Sequence, residues 1–86
     1  MPEISRFYGI VVQMYSQEHP PPHFHARYAG GAVQIGISPI RVLEGQIEKR
    51  AISLVLEWAA LHQTELMENW DRMRGDEVPQ PIEPLH

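Results

Sequence analysis

Apolar and polar residues alternate along two neighbouring segments in the first half of the chain. In the segment 23–28 the even positions are apolar or aromatic, and the odd positions hold His23, His25 and Arg27. In the segment 32–37 the odd positions are branched aliphatic residues, and the intervening Gly30-Gly31 is typical of a tight turn. Because side chains alternate sides along a strand, the two segments predict an antiparallel hairpin with one apolar and one polar face.

Two further segments have the composition of strands. Phe7 to Tyr15 is rich in β-branched and aromatic residues, which predicts a first strand at the centre of the sheet. Ser38-Pro39 interrupts the ladder, and Arg41 to Gly45 is predicted as a short additional strand or a turn. The first 47 residues therefore predict a meander of three to four antiparallel strands.

From about Glu48 to Arg74 the hydrophobic period changes to that of a helix. One broad side of this predicted helix carries apolar residues: Ala51, Leu54, Val55, Trp58, Ala59, Leu61, Leu66 and Met73. Gly75 stands where a glycine commonly ends a helix, and residues 75–86 are too rich in proline for a helix or a central strand. The predicted fold is a single α+β domain over residues 1–86, in which the meander packs on one long C-terminal helix (48–74) and is followed by an extended tail.

Composition argues against several classes of protein. With 86 residues and no cysteine, the chain cannot rely on disulfides or on cysteine-bound zinc, and a second copy of the chain could contribute to its stability. The net charge of −4 argues against non-specific binding of nucleic acid through overall charge. Neither a signal peptide nor a membrane-spanning run is visible, so we expect a cytoplasmic protein that does not interact with membranes.

The residues best suited to catalysis or metal binding directly follow three successive prolines. His23 and His25, two residues apart on a predicted strand, project from the same face with Cα atoms about 6–7 Å apart. Such a pair can share a metal ion, or act as general base and general acid, with Arg27 clamping a phosphate. The alternative is that these are ordinary hydrogen-bonding and solubilising residues of an open sheet.

Other polar residues are candidates for a binding role. His62 and Asn69 fall on the apolar side of the predicted helix with Glu65 beside them, and a buried imidazole or amide needs a partner. They form either a structural network between helix and sheet or part of a site. Tyr15 and His19 could line the same site as the strand histidines. If Phe24 packs beneath the helix, however, the strand histidines face away from His62.

Several segments together resemble one bacterial family, called domain of unknown function 4160. These segments are Pro2-Glu-Ile-Ser-Arg-Phe-Tyr-Gly-Ile10, His19-Pro-Pro-Pro-His-Phe-His25, Leu43-Glu-Gly45, Val55-Leu-Glu-Trp-Ala59 with His62, and Glu65-Leu-Met-Glu-Asn-Trp70. The resemblance implies a short bacterial protein that is often encoded beside a second small protein, of the domain of unknown function 2442 family. That pairing resembles a toxin–antitoxin module, but the resemblance implies no particular chemistry.

Three functions are compatible with these observations. The first is one component of a toxin–antitoxin-like pair, which meets a neighbouring gene product through the face that carries His23, His25 and Arg27. The second is a metal-independent ribonuclease-type toxin that uses the two histidines as acid and base on RNA. The third is a histidine-ligated metal-binding protein, for which zinc is the first expectation. The sequence leaves open whether the protein is an enzyme.

Overall fold

A computed structural model describes residues 2–86, which form a five-stranded sheet followed by two helices. The strands are β1 (Glu3–Phe7), β2 (Ile10–Gln13), β3 (His23–Tyr28), β4 (Gly31–Ile37) and β5 (Ile40–Gln46), and the helices are α1 (Lys49–Leu61) and α2 (Gln63–Arg74). Each strand pairs antiparallel with the next, so the sheet is a meander in chain order. The α+β class is confirmed, whereas the predicted number of strands, three to four, was too low.

The prediction of one strand from Phe7 to Tyr15 was wrong, because this segment contains a turn. Tyr8 (φ 51°) and Gly9 (φ 80°) both adopt left-handed conformations and connect β1 to β2. Two such residues in succession form the turn whose twist matches that of an antiparallel hairpin. Strand-like composition does not reveal this turn, because its first residue is a tyrosine.

The hairpin of β3 and β4 follows the predicted alternation. Phe24 and Ala26 are fully buried on the apolar face. On the other face His23 lies opposite Gly36, and His25 lies opposite Gln34. The polar positions of β3 therefore share one side of the sheet, as their spacing predicted.

The predicted single helix over residues 48–74 is two helices that meet at His62. The backbone of His62 leaves the helical conformation (φ −125°, ψ 27°), and its N–H donates to the carbonyl oxygens of Trp58 and Ala59. Leu61, predicted on the apolar side, is instead 67% exposed beside this break. A break of one residue hardly disturbs a period of 3.6, so the hydrophobic pattern could not reveal it. Gly75 ends α2, as predicted.

The core lies between the apolar face of the sheet and the two helices. Trp58 of α1 is fully buried at its centre, with its ring centroid 5.4 Å from that of Phe7 and 5.7 Å from that of Phe24. The other large, fully buried side chains are Ile4, Ile10, Met14, Ile35, Ile37, Leu66, Val12, Val33, Val55 and Asn69. The apolar face of the sheet is thus buried against the helices, so a functional site is expected on the opposite face.

The residues after α2 contain no helix or strand but contact both the sheet and the helices. The N–H of Ile82 donates to the carbonyl oxygen of Ile4 in β1 (2.7 Å), and the indole N–H of Trp58 donates to the carbonyl oxygen of Glu83 (2.8 Å). The Ile82 side chain is 4% exposed. None of the described helices has the length and apolar character needed to cross a membrane.

Candidate functional site

The most concentrated group of potential ligands lies on the polar face of the sheet, where the loop between β2 and β3 folds back onto β3. Prolines 20–22 restrict the backbone of this loop. At its end, the carbonyl oxygen of Pro22 accepts a hydrogen bond from the N–H of Ile37 in β4 (3.0 Å). The loop is therefore anchored where it enters β3, and it carries Glu18 over the two strand histidines.

Glu18 lies between the two imidazoles. Its Oε1 accepts a short hydrogen bond from Nε2 of His25 and lies 3.4 Å from Nε2 of His23. One potential ligand atom from each residue lies within 4.8 Å of the other two, and no second group of three such residues occurs in residues 2–86. The side chains of Glu18, His25 and His23 are 27%, 15% and 6% exposed, so this cluster is largely shielded from solvent.

One hydrogen bond determines which ring nitrogen of His23 carries a proton when the imidazole is neutral. Nδ1 lies 2.8 Å from the carbonyl oxygen of Pro21, which can only accept, so Nδ1 must donate. In the neutral ring Nε2 is then unprotonated. This atom is buried, has no hydrogen-bond partner and faces the Glu18 carboxylate. A lone pair facing an anion is unfavourable unless a cation or a proton lies between them.

Neighbouring rings hold both imidazoles in place. Tyr15 meets His25 edge to face at a centroid distance of 4.5 Å, and its hydroxyl donates to Oε1 of Gln13 (2.9 Å). His23 lies 5.4 Å from Trp70 of α2 and 5.3 Å from His25. The polar face of the sheet is thus less open at His23 than its sequence predicted, because this side chain is largely buried and packs against a tryptophan of α2.

A cavity of about 480 Å³ opens beside two residues of this cluster, Glu18 and His23. It is lined by Glu18, His19, Pro20, Pro21, His23, Gln34, Arg41, Leu43 and Glu44. The strand register explains two of these residues: Gly36 lies between His23 and Arg41, and Gln34 lies between His25 and Glu44. The amide of Gln34 donates to the Glu44 carboxylate (3.2 Å). The cavity therefore holds one arginine, two carboxylates and two imidazoles.

Of the other residues predicted for the sheet face, Tyr15 and His19 lie beside the cluster or its cavity, and Arg27 does not. Tyr15 contacts His25, and His19 lines the cavity. Arg27 is exposed on the same face but does not line the cavity, and it forms no ion pair or side-chain hydrogen bond within the described part of the chain. The structure thus brings together the histidines and Glu18, without Arg27.

The helix residues predicted for a binding role lie elsewhere. His62 pairs with Glu65 (Nδ1 to Oε1, 2.6 Å) at the junction of α1 and α2, and its ring lies 5.6 Å from Trp58. Asn69 is fully buried and exchanges hydrogen bonds with the backbone of Gln80 (2.7 and 2.9 Å). These contacts tie the helices and the tail together, and none of these residues lines the cavity.

Sequence reasoning missed the three charged residues of this cluster and cavity, Glu18, Arg41 and Glu44. Glu18 precedes the first histidine of Glu18-His-Pro-Pro-Pro-His23, so a carboxylate close to paired histidines was an available signal. The path of the loop, which decides whether that carboxylate turns towards His23, was not encoded in the spacing. Arg41 could be placed only once the register of β4 and β5 was known.

A family model described as "Domain of unknown function (DUF4160)" matches residues 9–71. The matched segment spans β2 to β5, α1 and most of α2, and includes all three residues of the cluster and every residue that lines the cavity. No curated protein and no solved structure matches the chain.

Proposed function

The chain belongs to the DUF4160 family, whose description names no activity, and from its own geometry we propose that it binds one divalent transition-metal ion through Glu18, His23 and His25. The observation that carries this proposal is the unpartnered, buried Nε2 of His23, which faces the Glu18 carboxylate. A cation between these atoms would satisfy both of them. The bond from Nδ1 of His23 to a backbone carbonyl is the support that metal-bound histidines usually have.

The three side chains suit the chemistry of zinc and related ions. Two imidazoles and a carboxylate are common ligands of zinc, and the same set with open positions is also typical of non-haem Fe²⁺. Around a tetrahedral zinc ion the ligand atoms are about 3.4 Å apart. The three atoms lie within 4.8 Å of one another, so small side-chain rotations would bring them into range. A fourth position would face the cavity, where a water molecule or a substrate could bind.

The same geometry gives less support to a metal-independent ribonuclease. That mechanism needs two imidazoles with nitrogen atoms accessible to the substrate and a cation beside the phosphate. Both ring nitrogens of His23 are shielded, and Arg27, the arginine predicted to clamp the phosphate, lies outside the cavity, which is lined instead by Arg41. A net charge of −4 also opposes the phosphate contacts that dominate binding to RNA.

Metal content and thermal stability together test the proposed site. Protein prepared without a histidine tag is stripped with a chelator, titrated with Zn²⁺ and dialysed before elemental analysis. We expect one bound equivalent. At a free zinc concentration one hundred times Kd, binding contributes about 2.7 kcal/mol, which for a domain of this size raises Tm by about 11–22 °C.

Matched variants show whether the named residues hold the metal. Glu18→Gln keeps the size of the side chain but loses the anionic ligand, and His23→Ala removes an imidazole, so both should retain far less zinc. His62→Ala is the control, since it removes a different imidazole–carboxylate pair outside the cluster. A wild type without stoichiometric zinc, or an equal loss in the His62 variant, would contradict the proposal.

We propose as a second candidate function one component of a toxin–antitoxin-like pair, which the resemblance stated from the sequence suggests. Its supporting structural feature is the exposed Arg27 on the same sheet face as His23 and His25. The test is growth of a bacterial host during induced expression, with and without the neighbouring gene, comparing the wild type with the double variant His23→Ala/His25→Ala. Arrest that requires the histidines and is relieved by the neighbour would support a toxin. Unimpaired growth in every arm would count against a toxin and favour a binding or antitoxin-like role.

A further inference from the structure

We propose that the cavity beside the metal ligands binds the phosphate group of a phosphomonoester, with one phosphate oxygen on the metal ion and two on the guanidinium of Arg41. This inference rests on the proposed metal site and adds the class of ligand that the site would accept. It is carried by the position of Arg41 relative to His23, by the charge of the cavity and by its size.

The strand register places Arg41 across the sheet from His23. The two residues are separated by Gly36 of β4, which lies directly opposite each of them. Adjacent strands are about 4.8 Å apart, so the two Cα atoms are separated by about 10 Å. Both side chains line the same cavity, and no side chain from Gly36 stands between them. A small tetrahedral group can therefore contact a metal ion held by His23 and the guanidinium of Arg41 at once.

The charge of the cavity makes anion binding depend on the metal. Without a metal ion, Arg41 faces two carboxylates, Glu18 and Glu44, and the lining repels a phosphate group. A divalent ion on Glu18 reverses the sign of this local charge. Arg41 forms no ion pair within residues 2–86, so its guanidinium is available to a ligand.

A phosphomonoester fits this arrangement better than a carboxylate does. It carries three terminal oxygens, so that one oxygen on the metal leaves two for the parallel donors of a guanidinium. A carboxylate has only two oxygens in all. The cavity, at about 480 Å³, is also much larger than a phosphate group and falls in the range of ligand pockets. Pro20, Pro21 and Leu43 supply apolar wall for the organic part of the ester.

Calorimetric titration of phenyl phosphate into the full, zinc-loaded chain tests this inference, with the zinc content measured first. We expect binding by the loaded wild type and none by the metal-free protein. Arg41→Ala should bind at least tenfold more weakly while it retains zinc, and Arg41→Gln should behave in the same way. Arg27→Ala is the matched control, because Arg27 lies on the same sheet face outside the cavity and should leave binding unchanged. Benzoate should bind at least tenfold more weakly than phenyl phosphate.

Each contrary outcome is informative. Stoichiometric zinc without phenyl phosphate binding, or equal binding by the Arg41 variants and the wild type, would overturn the inference and leave the metal site intact. Binding of phenyl phosphate by the metal-free protein would overturn the proposed bridging role of the metal. Equal affinity for benzoate would overturn the assignment to phosphate. Failure to retain zinc would overturn both this inference and the proposed function.

Discussion

Replacing Ile82 with alanine tests whether the tail contributes to the stability of the domain. The Ile82 side chain is 4% exposed, and its N–H donates to the carbonyl oxygen of Ile4. The substitution removes three carbon atoms, each worth about 0.8 kcal/mol when buried, which gives a transfer loss of about 2.4 kcal/mol. Because the tail covers the outside of the core and can relax, little further cost from a cavity is expected. The predicted loss of stability is therefore about 2–3 kcal/mol.

Val78→Ala is the matched control for this experiment. Val78 is also a β-branched aliphatic residue of the tail, but it is 77% exposed, so its truncation should change stability by less than about 0.5 kcal/mol. Both variants are compared with the wild type by urea unfolding, which is followed by tryptophan fluorescence. The comparison of stabilities requires that the m-values are equal. If Ile82→Ala lowers stability no more than Val78→Ala does, the tail does not pack against the domain in solution and the reasoning is refuted.

Three further substitutions test the sheet and the junction between helix and tail. Gly45 has φ +88°, and an added Cβ would clash with the carbonyl oxygen of Ala32, whereas Gly30 has φ +83° with nothing within 4 Å. Gly45→Ala should therefore cost about 2–4 kcal/mol and Gly30→Ala about 1 kcal/mol in urea unfolding, and equal costs would contradict the close approach of the two strands. Asn69→Ala removes a buried amide that bonds the backbone of Gln80 on both sides, with an expected loss of about 2–3 kcal/mol in thermal or urea unfolding. A loss below about 0.5 kcal/mol would show that this amide does not hold the tail.

The proposed metal site has a physical feature that separates it from an ordinary surface cluster. Exposed histidines and carboxylates usually satisfy their polar atoms with water, whereas Nε2 of His23 is shielded from water and has no hydrogen-bond partner. The carbonyl of Pro21 holds its tautomer, and Trp70 packs against its ring. The folded chain thus presents an imidazole nitrogen and a carboxylate oxygen to the same small volume.

The local part of the fold was predictable from the sequence. Alternation along residues 23–28 and 32–37 identified β3, β4 and their shared polar face, because the period of a strand is a property of the backbone itself. The helical period and Gly75 located the end of α2 in the same way. The turn at Tyr8 and the break at His62 were missed, since each changes the backbone at one or two residues without changing the hydrophobic pattern.

The sequence by itself determined that His23 and His25 lie side by side, because residues two apart on a strand must share a face. Tertiary structure decided everything that requires contact between distant segments. The path of a proline-restricted loop turned Glu18 onto the histidines, α2 brought Trp70 against His23, and the register of β5 placed Arg41 across the cavity. Such contacts depend on loop direction and on the pairing of whole strands, and neither of these is encoded in the spacing of residues along the chain.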